Sequence, residues 1–200
     1  IKQYEYLSDR LKSDRDIIMV MVAKDDHFFD ADLADNLKQD EEFVRQCIIK
    51  NPKVMQHVVY NEWIKDDEEF VLANPGTFIY ASFRVRSNRE IAMQLVRKCG
   101  WDKIVPGMCG EMSSDVELWR AILSHNGNLL QYADPNIKSN AELVRIAAAN
   151  MDPNSFISGE PFRSISEELM RNKSFAFEML DIIEMSSAKN NNARITAVWK

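Results

Sequence analysis

The sequence predicts an all-α fold of tandem helix pairs, stacked as an α-solenoid-like or compact helical array. Three observations carry this. Gly and Pro together make up 12 of 200 residues, about half their usual share, so long regular stretches are expected and turn-rich β architectures are not. An eight-residue pattern recurs along the chain: aliphatic, often Lys, polar, Asp or Asn, any residue, an acid, then two apolar residues. Behind each copy the apolar residues fall at i, i+1, i+4 and i+5, the buried stripe of an amphipathic helix.

The copies begin near residues 11, 37, 64, 85, 112, 137 and 169. The first reads Leu11-Lys12-Ser13-Asp14-Arg15-Asp16-Ile17-Ile18, the third Ile64-Lys65-Asp66-Asp67-Glu68-Glu69-Phe70-Val71, and the sixth Ile137-Lys138-Ser139-Asn140-Ala141-Glu142-Leu143-Val144. The seventh, Leu169 to Ala176, lacks the acid. With the third residue as N-cap, the pattern is a capping box: Ser13 with Asp16, Ser87 with Glu90, Ser114 with Glu117, Ser139 with Glu142, and Asp66 with Glu69. Acid runs such as Asp66 to Glu69 are then helix-start chemistry, favoured by the helix dipole, and need no metal. Stop signals follow each helix at Asn51-Pro52, Asn74-Pro75, Gly100, Asn126-Gly127 and Asn150. A second, shorter helical segment follows, marked by Val54, Met55, Val58 and Val59 or by Leu129, Leu130 and Ala133. Such a pair of about 25 residues cannot bury its own core, so stacking supplies the missing contacts.

Two copies depart. In the third, Phe70-Val71 runs into Ala73-Asn74-Pro75, with roughly one helical turn missing. In the fourth, Gly100, Pro106, Gly107 and Gly110 stand where its second helix belongs. A distorted stack is expected across Ala73 to Glu111. Residues 1–187 are read as one helical-repeat domain and 188–200 as a polar tail.

Composition excludes several function classes. A net charge of −6 speaks against nucleic acid as a partner, since phosphate neutralisation needs a basic face. The longest apolar run, Ile17 to Ala23, is far short of the roughly 20 residues of a membrane span. Three cysteines form no disulfide framework, which places the chain in a reducing, intracellular and cytoplasmic setting. Without an initiating Met, Ile1 is expected to continue a longer chain. No Gly-rich phosphate loop opens a strand-to-helix unit.

One copy carries a resemblance. Asn126-Gly127-Asn128-Leu129-Leu130-Gln131-Tyr132-Ala133, followed by Ile137 to Val144, is similar to a short tandem helical repeat of unknown function. That repeat occurs in protist and intracellular-bacterial proteins and reads roughly N-G-x-x-L-x-Y-A, then L-K-x-D-x-E-[LIV]-V. The resemblance spans most of Leu7 to Met151 and is sharp only in this copy. It implies α-helical repeats with interaction roles, often appended to other domains, and no catalytic residues to carry over.

No residue set indicates an enzyme, a cofactor or a metal. Cys47 and Trp119 sit at stripe positions and read as core. Cys99 and Cys109 lack further ligands at metal spacing. His27, His57 and His125 occupy unrelated repeat positions without triad spacing. Asp30-Ala31-Asp32 lacks the apolar strand that an acid-x-acid transferase motif requires. Charge, in contrast, is unevenly spread. Lys24 to Glu42 holds eight acids and two lysines, whereas Arg84 to Lys103 holds six bases and two acids. The basic stretch coincides with the break in the repeat. Arg84, Arg86, Arg97, Lys98, Trp101 and Lys103 are therefore the candidate partner-binding residues of a non-catalytic scaffold for a protein partner. The alternative is an accessory or targeting domain of a larger enzyme.

Overall fold

The computed structural model describes residues 6–31, 33–58, 62–151, 163–182 and 185. Every regular element among them is helical. The chain divides into two compact units, Ile1–Cys99 and Gly100–Lys200.

Each copy of the pattern starts a helix: α1 (Arg15–Lys24), α2 (Glu41–Lys50), α3 (Glu68–Ala73), α4 (Arg89–Cys99), α5 (Val116–His125), α6 (Ala141–Ala149) and α7 (173–182). The capping residue is the Asp or Asn at the fourth pattern position, not the Ser or Asp at the third. Asp40 Oδ1 accepts from Phe43 N at 3.0 Å, Asp67 Oδ1 from Phe70 N, Asp115 Oδ1 from Leu118 N and Asn172 Oδ1 from Phe175 N. Asp14, Asn88 and Asn140 each accept from two amides of the first turn.

The register moves by one because the first two pattern residues belong to a one-turn helix of their own. These turns run Asp9–Lys12, Asp35–Lys38, Phe83–Arg86, Pro135–Lys138 and Glu167–Arg171. The third residue closes that turn, and its hydroxyl points backwards: Ser87 Oγ donates to Arg84 O and Ser139 Oγ to Asn136 O. The acid of the pattern is consequently at the second helical position, where it serves the helix dipole instead of reaching back to the cap.

The stripe is buried as expected. Phe43, Val44, Cys47 and Ile48 in α2, and Leu118, Trp119, Ile122 and Leu123 in α5, are core residues. In α1 and α4 the stripe is narrower, with Ile17, Met21 and Val96 only half-buried. The third copy is short, six residues in α3 against ten in α2. After α2, α3 and α5 comes a 3-10 segment in place of an α-helix, Pro52–His57, Pro75–Tyr80 and Gly127–Tyr132, whereas α1 is followed by the short α-helix His27–Ala31. The fourth copy breaks into Trp101–Ile104, Val105–Gly107 and Gly110–Ser113 after Gly100, whose φ of +86° favours glycine.

Within the first unit, α1 packs on α2, α3 on α4, and Pro52–His57 on both His27–Ala31 and Pro75–Tyr80. Within the second, α5 packs on α6 and Val105–Gly107 on Gly127–Tyr132. One backbone bond recurs between copies. Ser82 N donates to Lys65 O, Asp134 N to Ser113 O, and Ser166 N to Lys138 O. Residues 188–200, with Trp199, lie outside the described residues, as do the side chains of Asp30 and Asp32.

Candidate functional site

Arginines in the first half of four long helices reach into the following copy. Arg45, on α2, donates to Asp67 Oδ2 at 2.8 Å, so the cap of α3 is also an ion-pair partner of the copy before it. The same guanidinium lies 5.0 Å from the Phe70 ring and 4.6 Å from Trp63. Arg15 pairs with the cap Asp40 and stacks 5.0 Å from Phe43. Arg145 forms a two-pronged pair with Glu178 at 2.7 and 3.0 Å and stacks on Phe175. Arg120 reaches Glu142. A planar guanidinium meets a carboxylate edge-on and an aromatic face flat, which lysine does not. Backbone and guanidinium donors hold the acids ionised. The Phe43 amide and Arg15 place the Asp40 carboxyl below its ordinary value. The Asp67 carboxyl is also lowered, because the Phe70 amide and Arg45 together outweigh a desolvation that acts the other way. Arg120 does the same for Glu142, and Arg145 for Glu178.

The residues singled out in the basic stretch are spread over both units, and several are engaged locally. Arg84 grips Asp66, Glu68 and the Asp66 carbonyl. Arg86 Nε donates to Ala81 O at 3.0 Å, and Lys98 Nζ to Leu72 O at 2.9 Å. Arg97 and Lys103 are exposed, and Trp101 is half-buried. Trp63, 39 % exposed, is the more open tryptophan, with Arg45 across its face.

The structure also brings together residues that are distant in the sequence. Asp26 and His27 follow α1, while Gln56 and His57 end the 3-10 segment of the second copy. His57 Nε2 lies 2.9 Å from Asp26 Oδ2, to which Gln56 Nε2 also donates at 2.7 Å. The rings of His27 and His57 meet edge to face, 4.9 Å between centres. The His57 contact, followed by Gln56, lowers the Asp26 carboxyl against its partial burial. Asp26, His27 and His57 present ligand atoms within 4.8 Å of one another. Linear spacing gave no sign of this cluster, because it forms only through packing of consecutive copies.

A looser pair, His125 Nε2 at 3.4 Å from Asp102 Oδ2, has both side chains more than half exposed. Cys47 is fully buried on the inner face of α2, and burial pushes its thiol up to about 12, the state of an inert core sulfur. None of the three cysteines is in a disulfide. No helix among the described residues is long and apolar enough to cross a membrane. No protein-family model, curated protein or solved structure matches this chain.

Proposed function

We infer that the chain is a non-catalytic helical-repeat scaffold that binds a protein partner, its copies forming an α-solenoid-like array related to the short tandem repeat it resembles. The observation that carries this reading is the reuse of one device. An arginine of one copy clasps an acid of the next, at the helix start for Asp40, Asp67 and Glu142 and within the helix for Glu178, and in three cases stacks on an aromatic ring there. Repeats whose polar groups serve their neighbours in this way build surface, not a reaction centre. Thiols outside disulfides fit a reducing, intracellular compartment.

Arg97, Trp101 and Lys103 are the members of the basic stretch to which no local task falls, and they are the proposed contacts. Affinity capture on the purified chain, compared between wild type and the Arg97→Glu/Lys103→Glu double variant, tests this. The reading predicts loss of the specific partner at an unchanged unfolding midpoint. A partner retained by the double variant refutes the basic stretch as the contact, and the absence of any specific partner refutes the scaffold.

A further inference from the structure

The turn after each long helix has a fixed address in the repeat. The same offset from the capping residue leads from Asp14 to Asp26, Asp40 to Pro52, Asn88 to Gly100 and Asp115 to Gly127. Allowing for the missing turn of α3, Pro75 holds that address in the third copy. A second address is the last residue of each 3-10 segment, filled by His57, Tyr80 and Tyr132. Pro or Gly stands at the first address in copies two to five, whereas an acid stands there in the first, sixth and seventh copies, as Asp26, Asp152 and Glu184. At the first junction a carboxylate at the first address meets an imidazole at the second, 2.9 Å apart. Beside Asp26 stands His27, where copies two to five have Lys53, Gly76, Trp101 and Asn128.

We propose that Asp26, His27 and His57 form a binding site for one divalent transition-metal ion of the zinc class, joining the first two copies. Two imidazoles and a carboxylate are the donor set of open zinc sites and of related first-row metal sites. Ligands of a tetrahedral zinc ion, at about 2.0–2.1 Å from it, stand about 3.3 Å from one another. The three donors, already within 4.8 Å of each other, reach that spacing by small side-chain rotations. Gln56, bonded to the Asp26 carboxylate, supplies the outer partner that orients a ligand. Asp26 and His57 are half-buried while His27 is exposed, so an ion enters from the solvent side and keeps a fourth position there for water or an outside ligand. Among the described residues no second group of three such donors exists. The Asp102–His125 pair lacks a second imidazole.

The test is calorimetric titration of Zn2+ into the untagged, chelator-treated chain. One ion per chain is expected, with a rise in the unfolding midpoint that a chelator reverses. His27→Ala, an exposed change that leaves the Asp26–His57 bond in place, is expected to weaken binding more than about tenfold, a loss that even outer partners of a metal site can cause. Asp26→Asn is expected to do likewise, and His125→Ala to leave binding unchanged. Bound Co2+ is expected to show no thiolate charge-transfer band. Absence of saturable one-to-one binding overturns the proposal, as does full affinity in His27→Ala or a thiolate band, which would move the ion to a cysteine.

Discussion

Two junctions between copies solve the same problem with different means. After α5, Gly127 approaches α6 so closely that a Cβ there would lie 1.9 Å from the Ala147 carbonyl oxygen, and its N–H donates to Asn150 O at 3.0 Å. After α1, the same repeat address carries Asp26, and side chains close the gap: Asp26 to His57 and Gln56, with Asn51 Nδ2 donating to Val22 O at 2.9 Å. The glycine junction is held by backbone and shape. The aspartate junction is held by groups able to exchange partners.

The comparison breaks most sharply at Gly127. Gly127→Ala drives a methyl into backbone that cannot rotate away, and a loss of about 3 kcal/mol or more is expected in urea unfolding, at the upper end of overpacking effects. Asp26→Gly, which gives the first junction the residue of the second, removes hydrogen bonds but no volume that packing needs. About 1 kcal/mol is expected there, reduced by solvent screening.

Acid sharpens the contrast. The carboxyls of Asp40, Asp67, Glu142 and Glu178 have folded values below their unfolded ones. The unfolded chain therefore takes up their protons first. The stability they supply is complete at neutral pH and drains away as pH falls below about 4. Amide exchange near pH 3 is expected to show the α1–α2 junction opening before the Gly127–Asn150 bond does. Simultaneous opening would argue against the distinction. A smaller local effect is expected at the caps: Asn140→Ala loses about 1 kcal/mol, and Asn140→Asp restores it. Smallest of all is Arg120→Ala, an exposed pair whose removal is expected to shift the unfolding midpoint only at low salt.

Much of the fold is legible in the sequence. The stripe of Phe43, Val44, Cys47 and Ile48 identifies the face of α2, and Ala73-Asn74-Pro75 announces the lost turn of α3. The cap register is not legible in the same way, because Ser87-x-x-Glu90 and Asn88-x-Glu90 are overlapping helix-start signals. What decides between them is the one-turn helix Phe83–Arg86, which claims Ser87 as its own end. The arginine rungs depend on which face of a neighbour lies within reach, and residue spacing does not encode that. The Asp26–His57 cluster is not readable from spacing, because it forms where the segment after α1 packs on Pro52–His57.

The shortened α3 carries a consequence for how such a chain can change length. Its four-residue deficit relative to α2 is close to the 3.6 residues of a full turn, so it rotates the following backbone by only about 40°. Pro75 therefore arrives pointing almost where Pro52 does. A deficit of two residues would turn everything downstream by about 200° and present the charged face to the core. The helices behave like a ratchet whose teeth are whole turns: insertions and deletions are absorbed in steps of three or four residues, and intermediate sizes lock the mechanism.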